Sequence, residues 1–279
     1  MPRSPRVVLS SVVADRRRQL ALSCPSGGEG PVLDTTSGHR QTVSVSIPEK
    51  RGALRQFAAG VIRSSATLLT RRIWLGQEHL PPTGVVVACN HLSEYDPVAI
   101  AHYIYDAGRF PRFLGKDGVF AIPVVGRLLH DLGQIPVHRE STRAGEALRA
   151  AIDAAREGAC VVVYPEATIT RDPDLWPMTA KTGAVRIALH AGVPLVPLAT
   201  WGAQDLLPYR GAPRPVPRKT VRIKAGPPVD LAAYAGRGDD PVAMAEATDV
   251  VMRHIAEQLA ALRGERAPEV LYERDRGES

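Results

Sequence analysis

The sequence has few cysteines, few aromatic residues and no long apolar run. Its three cysteines, Cys24, Cys89 and Cys160, lie far apart and form no CxxC pair, so we predict neither a disulfide framework nor a cysteine metal cluster. A reducing cytosol is the expected compartment. No apolar run approaches the roughly 18–20 residues of a transmembrane helix. Residues 1–19 also lack the apolar core of a secretory signal.

The composition is that of an ordinary globular protein. Of 279 residues, 44% are apolar and 23% are charged, with 24 glycines and 24 prolines, which excludes a collagen-like or wholly disordered chain. We predict a mobile N-terminal extension over residues 1–48, because they are rich in Ser, Gly and Arg without periodicity. A globular domain is expected over residues 49–263, followed by a charged C-terminal tail over residues 264–279.

Acidic residues are fewer than basic residues. The chain has 35 basic and 29 acidic residues, a net charge of +6, which suits an anionic membrane surface, an anionic substrate or nucleic acid. Aromatic residues make up only 5% of the chain, and no nucleic-acid-binding motif is present. We therefore expect no nucleic-acid partner.

The first periodic segment predicts an amphipathic helix that begins near Arg51. Apolar residues recur there every three or four positions, at Leu54, Phe57, Val61 and Leu68, and residues 51–77 contain five arginines and no acid. Two interpretations are compatible with this pattern. The helix packs on the core with a solvated arginine face, or it docks in the interface of an anionic membrane.

Strand and helix patterns alternate along the rest of the chain. This alternation predicts an α/β fold with a mixed, mostly parallel sheet flanked by helices, with the amphipathic segment as a membrane-docking element at its N-terminal end. The predicted strands are 85–89, 134–137, 159–164, 195–199 and 220–225, and the predicted helices are 97–107, 141–157, 181–190 and 241–262.

Polar motifs follow three of these strands. Asn90-His91 is followed by Asp96, a spacing that lets a carboxylate bind one imidazole nitrogen and leaves the other to accept a proton. A helix-capping aspartate beside a structural histidine is the alternative. Arg139 follows the second strand, where an arginine is well placed to bind phosphate.

The third strand runs into a segment with a carboxylate, hydroxyls and cations. It contains Glu166, Thr168 and Arg171. Lys181 then begins a predicted helix, whose free N–H groups favour an anion. No His or Cys spacing predicts a metal site.

Taken in order, these pieces resemble the glycerolipid acyltransferase family, the PlsC-like 1-acylglycerol-3-phosphate acyltransferases. Its four blocks read NHxxxxD, GxxxxxR, FPEGTRS and a VPxxPV-like segment, and the resemblance covers residues 51–229. It implies a His91 general base, an Asp96 that orients it, and Arg139 and Lys116 as ligands of the acceptor phosphate. Glu166 and Thr168 match the third block and are expected to contribute to the site of the acceptor phosphate. This block departs from the family at Ala167 (usually Gly) and Ile169 (usually Arg).

The resemblance implies acyl transfer to a phosphate-bearing glycerolipid, most simply lysophosphatidate to phosphatidate. The acyl donor is expected to be acyl-CoA or acyl carrier protein, and no metal or redox cofactor is needed. Arg171 and Lys181 are candidates for the role of the arginine that Ile169 replaces. The alternatives are another acceptor, glycerol-3-phosphate or a different lysophospholipid, and a non-catalytic lipid-binding protein. The expected location is the cytoplasm, peripheral on the inner face of the cell membrane.

Overall fold

A computed structural model describes residues 53–137 and 144–273. The predicted extension over residues 1–48 lies outside this part of the chain. The helices are α1 (Ala53–Leu69), α2 (Asp96–Asp106), α3 (Asp117–Phe120), α4 (Val125–Asp131), α5 (Ala144–Arg156), α6 (Gly183–Ala191), α7 (Ala203–Leu206) and α8 (Pro241–Arg263). The strands are β1 (Thr70–Leu75), β2 (Val85–Cys89), β3 (Pro111–Lys116), β4 (Ile135–Val137), β5 (Cys160–Val163), β6 (Leu195–Trp201) and β7 (Lys219–Ala225).

The strands form one mixed sheet in the order β1-β7-β6-β2-β5-β3-β4. Five of them, from β6 to β4, are mutually parallel, so their carboxyl ends lie along one edge. β7 runs antiparallel to β6 and parallel to β1. The prediction of a mixed, mostly parallel sheet flanked by helices is therefore confirmed.

The central strands are apolar on both faces because helices cover both faces. Every residue of β2, Val-Val-Val-Ala-Cys, is buried, as is every residue of β5, which is the pattern of a strand in the middle of a parallel sheet. One layer of the core lies between the sheet and α5, α6 and α8, and the other lies beneath α2. This double cover leaves the two ends of the strands as the places for a site.

Two strands, β1 and β3, were not predicted from the sequence. β1 (Thr-Arg-Arg-Ile-Trp-Leu) is an edge strand with mostly exposed side chains, so it lacks both the alternation and the continuous apolar run that mark a strand. β3 contains Pro111, Arg112 and Gly115, which weaken its strand propensity. Both strands form because the neighbours β7 and β5 offer unpaired backbone groups.

Helix α1 buries small residues and exposes large ones. Ala59 and Ala66 are buried, whereas Phe57 is 71% exposed and Leu68 is 75% exposed. Core packing alone does not account for that arrangement, since large apolar side chains normally occupy the buried face. No helix in residues 53–137 and 144–273 is long and apolar enough to cross a membrane.

Candidate active site

The polar motifs meet at the carboxyl edge of the parallel strands. β2 ends at Cys89, directly before Asn90 and His91, and the neighbouring β5 ends at Val163, directly before Tyr164. A crevice outside the carboxyl ends is where open α/β sheets bind ligands.

The side chains of His91 and Asp96 form a hydrogen-bonded pair. The imidazole Nδ1 lies 2.9 Å from Asp96 Oδ2, so Nδ1–H donates to the carboxylate and Nε2 keeps its lone pair. The Asp96 carboxylate is fully buried, whereas the imidazole is 15% exposed. The spacing from His91 to Asp96 therefore forms an oriented base that a ligand can reach.

The same carboxylate oxygen also organises the turn that carries the pair. Asp96 Oδ2 accepts hydrogen bonds from the backbone N–H groups of Leu92 at 2.6 Å and Ser93 at 2.8 Å. Asp96 is the first residue of α2, so it serves as a turn-capping acceptor and as the partner of His91. The helix-capping alternative is wrong in detail, because the N-cap of α2 is Tyr95 and the Asp96 side chain bonds the turn before the helix.

Two further side chains, which the sequence analysis missed, hold the turn against the sheet. Asn90 is buried and exchanges hydrogen bonds with the backbone of Thr200 on β6, at 3.1 Å and 2.8 Å. The Ser93 hydroxyl donates to the Leu207 carbonyl at 2.7 Å. Thr200 and Leu207 are far from the turn in sequence, so the sequence does not predict these contacts. The only signal was that Asn90 and Ser93 are polar residues within the first block.

Glu166 is a structural carboxyl group, which corrects the expectation that it contacts the acceptor phosphate. It is fully buried, and its two oxygens accept the N–H groups of His91 at 3.1 Å and Met178 at 3.0 Å. Burial raises the pKa of Glu166 to about 8, against the lowering effect of these donors. Burial thus opposes ionisation of this side chain, whose oxygens fix the backbone of His91 and Met178.

Tyr164 stacks on the imidazole of His91. The two ring centroids are 4.2 Å apart and the ring planes differ by 24°. The Tyr164 hydroxyl is buried and has no hydrogen-bond partner among the described residues, and burial raises its pKa well above the ordinary value. The ring, and not the hydroxyl, thus limits how the imidazole can turn. The sequence signal for Tyr164 was its position directly before Pro165 and Glu166, at the start of the third block.

The third block differs from the family pattern at Ala167 and Ile169, and both residues affect the local structure. Ala167, where the family usually has glycine, has a φ of 57°, in the left-handed region that L-residues adopt at a cost of about 1–2 kcal/mol. Its N–H donates to the Tyr164 carbonyl at 2.9 Å, so the tight turn forms without glycine. Ile169, where the family usually has arginine, is buried and offers no charge to a phosphate.

The remaining candidates are distributed along the same edge. β3 ends at Lys116, whose register partner on β4 is Val137, and Arg139 lies outside the described residues two positions later. Thr168 is half-buried, and Arg171 and Lys181 are exposed. The Lys181 N–H donates to the Pro165 carbonyl at 3.0 Å, which holds its backbone next to the third block.

An apolar cavity of about 250 Å³ runs from Pro97, near this edge, to Pro111 and Gln134 at the amino ends of β3 and β4. Helices α1, α2 and α4 and strand β3 enclose it. One part is lined by Pro97, which follows Asp96, and by Phe113, whose ring centroid is 6.4 Å from that of Tyr164. The cavity therefore begins close to the His91 site and extends under α1, with a shape and lining suited to an aliphatic chain.

Within residues 53–137 and 144–273, no three His, Cys, Asp or Glu side chains are grouped so that they could hold a metal ion. The groups with chemical capacity are instead an oriented imidazole, a buried carboxylate and an adjacent apolar cavity. An oriented imidazole has the capacity to take a proton from a ligand, and an apolar cavity has the capacity to hold an aliphatic chain.

A family model matches part of the chain. The acyltransferase model matches residues 72–201, which include the first and third blocks and most of the sheet. This match supports the resemblance to PlsC-like acyltransferases that the sequence motifs indicated.

The chain is similar to several curated acyltransferases. A chloroplastic 1-acyl-sn-glycerol-3-phosphate acyltransferase of Brassica napus is 31% identical over 48% of this chain and 38% of its own length. The 1-acyl-sn-glycerol-3-phosphate acyltransferase of Borreliella burgdorferi is 30% identical over 47% of this chain and 51% of its own length. The chain thus spans about half the length, or less, of these relatives.

A solved structure shares the fold. The crystal structure of the 1-acyl-sn-glycerophosphate acyltransferase from Thermotoga maritima superposes with a TM-score of 0.55 at 24% identity, over 77% of this chain and 83% of that one. The similarity supports the sheet order and helix placement described above.

The strained turn predicts a stabilising substitution. Ala167→Gly removes the left-handed strain but adds about 0.5–1 kcal/mol of backbone entropy, so we expect a net gain of about 0.5–1 kcal/mol in the free energy of unfolding, measured with urea. The matched control is Ala150→Gly on the exposed face of α5, which should lose about 1 kcal/mol. Equal losses in both variants would show that Ala167 is not strained.

The stacking of Tyr164 on His91 predicts that two Tyr164 variants differ in turnover. Tyr164→Phe keeps the stack and removes an unpartnered hydroxyl, so turnover of the acyl transfer proposed below should change less than about threefold. Tyr164→Leu removes the stack and should lower kcat about tenfold with little change in the KM for the acceptor. A loss confined to KM, or an equal loss in both variants, would exclude an orienting role for the ring.

Proposed function

We propose that this protein transfers a fatty acyl group from an acyl thioester to the free hydroxyl of lysophosphatidate and thereby makes phosphatidate. The observation that carries the proposal is the 2.9 Å contact between His91 Nδ1 and Asp96 Oδ2 at the carboxyl edge of the sheet. The names of the relatives support the acceptor, because they are 1-acylglycerol-3-phosphate acyltransferases.

The chemistry follows from the free lone pair on His91 Nε2. The hydroxyl oxygen attacks the thioester carbonyl carbon while Nε2 takes the hydroxyl proton. The tetrahedral intermediate then breaks its carbon–sulfur bond, and the thiolate leaves and takes the proton back from the imidazolium. The products are an ester and a free thiol, and His91 returns to its starting state.

Asp96 acts on this step through the imidazole. Its buried carboxylate holds the tautomer with a proton on Nδ1 and stabilises the positive charge that forms on His91. Oδ1 of Asp96 is buried and has no hydrogen-bond partner in the described part of the chain, so less of the carboxylate charge is neutralised by other donors.

The acceptor phosphate is proposed to lie toward β3 and β4. Strands are spaced about 4.8 Å apart, so β3 is about 10 Å from β2 across β5, and β4 is about 14 Å away. A long side chain at Lys116 or Arg139 spans much of that distance to a phosphate whose hydroxyl is at His91. Thr168 and Arg171 on the third block, and Lys181 after it, are the other candidates.

The partners follow from the same arrangement. The aliphatic chain of a substrate occupies the apolar cavity, and the donor is acyl-CoA or acyl carrier protein. The acceptor is a membrane lipid, so we propose that the protein works peripherally on an anionic membrane, on the cytoplasmic face. The net charge of +6 favours all of these anionic partners.

Loss of the base tests the proposal most simply. His91→Ala should lower the rate of thiol release with lysophosphatidate and acyl-CoA by about 10²–10⁴-fold, and Asp96→Asn should cause a loss of similar order by disturbing the tautomer. The control is His254→Ala, which removes another histidine–carboxylate pair, with Glu257, from the surface of α8. Near-wild-type turnover by His91→Ala would contradict the mechanism.

The phosphate assignment predicts a selective effect at Arg139. Arg139→Ala should weaken use of lysophosphatidate about 10- to 150-fold, the equivalent of a charge-assisted hydrogen bond of roughly 1.5–3 kcal/mol. Arg139→Lys should recover part of the loss, because an ammonium group lacks the two-pronged geometry. The KM for the acyl donor should stay nearly constant. Equal losses on monoacylglycerol, which has no phosphate, would assign Arg139 a structural role.

A further inference from the structure

Three large apolar side chains between α3 and the middle of α4 have no place in the core. Ile122 is 49% exposed, Val124 is 81% exposed and Leu128 is 37% exposed. They follow one another within seven residues, and Ala121 and Pro123 between them are exposed as well. We call these three side chains the apolar ridge. Single exposed apolar residues are common, but a contiguous group marks an interaction surface.

The backbone does not require a valine at the tip of the ridge. Val124 has a φ of 69°, a conformation that is costly for a β-branched residue and in which glycine or asparagine is normally found. Neither burial nor local geometry therefore explains this side chain. A contact with a partner outside the described chain does.

The ridge is continuous in sequence with part of the cavity wall. Leu129 on α4 and Leu132, directly after α4, line the cavity, whereas the ridge side chains are exposed beside them. On another wall, α1 contributes Ala58 and Ile62, and the same helix exposes Phe57 and Leu68. Two exposed apolar surfaces thus flank one cavity that suits an aliphatic chain.

Exposed cations lie beside both surfaces. Helix α1 contains Arg55 and Arg63 and no acid, and Arg63 lies 3.4 Å from Asp106 on α2. Near the ridge the cation is Arg127, and the exposed Asp131 ends α4. Arg127 is exposed next to the ridge. Exposed apolar side chains among arginines are the pattern that inserts at the boundary between headgroups and acyl chains of an anionic bilayer. An acidic protein surface would match the charges but not the protruding apolar side chains.

We propose that the apolar ridge of Ile122, Val124 and Leu128 inserts into an anionic bilayer as a second contact beside α1, which places the cavity between two membrane contacts. This inference rests on the proposed function, because it takes the bilayer as the source of the acceptor. The aliphatic chain of the acceptor then passes from the bilayer to the cavity without crossing water.

Vesicle binding by the full chain tests the inference. The probes are vesicles of phosphatidylglycerol mixed with phosphatidylcholine, and vesicles of phosphatidylcholine alone, measured by co-sedimentation. The double variant Ile122→Asp/Val124→Asp should bind the anionic vesicles about tenfold or more weakly than the wild type. The control is Val270→Asp, because Val270 is also 81% exposed and lies in the segment after α8. It should bind like the wild type.

A second variant protects the test against misfolding. Val124→Gly fits the positive φ, so it should be at least as stable as the wild type and still bind anionic vesicles several-fold more weakly. Wild-type binding by both ridge variants overturns the inference. A large drop in the melting temperature of the double variant, or a change in its oligomeric state without vesicles, also overturns it, because the ridge then contacts this chain or a second copy.

Activity separates this inference from the proposed function. Acyl transfer to a water-soluble, short-chain lysophosphatidate without vesicles should be equal in the wild type and the ridge variants. If the wild type lacks this activity, the proposed function fails, and vesicle binding still decides the role of the ridge. If the activity is present and vesicle binding does not depend on the ridge, only the inference about the ridge fails.

Discussion

One carboxylate oxygen, Asp96 Oδ2, links the local structure of the site to its chemistry. It accepts the Nδ1–H of His91 and the backbone N–H groups of Leu92 and Ser93, so the turn that carries the base and the tautomer of the base depend on the same atom. Because Asp96 is fully buried, a loss of these bonds leaves a charge without compensation, which costs several kcal/mol. The imidazole therefore has its geometry before any ligand binds.

The rest of the site keeps that turn in place. Asn90 ties it to β6, and Glu166 ties the backbone of His91 to Met178 beyond the third block. Tyr164 closes one side of the imidazole. These contacts join three separate segments of the chain at the carboxyl edge of the sheet. Phe113 lies next to Tyr164 and also lines the apolar cavity. Such preorganisation is what lets a single general base contribute its full effect.

The elements that were predictable from sequence are those whose pattern reflects their burial. The buried run of β2 and the capped helix α8, between Asp240 and Gly264, match their predicted positions closely. β1 was not predictable because an edge strand with exposed side chains carries no apolar pattern. The contact between His91 and Asp96 could be predicted because the two residues are only five positions apart. The role of Glu166 could not be predicted from the sequence. Its hydrogen-bond donors, the N–H groups of His91 and Met178, are brought to the carboxyl group only by the fold.

The most direct measurement is mass spectrometry of the products that the wild-type protein makes from one acyl-CoA and a mixture of acceptors. The mixture contains lysophosphatidate, glycerol-3-phosphate and a lysophospholipid with a larger headgroup. We expect phosphatidate that carries the acyl chain of the donor, with one free thiol released for each molecule formed. Thiol release without any acylated lipid, or acylation of every acceptor except lysophosphatidate, would contradict the proposed reaction.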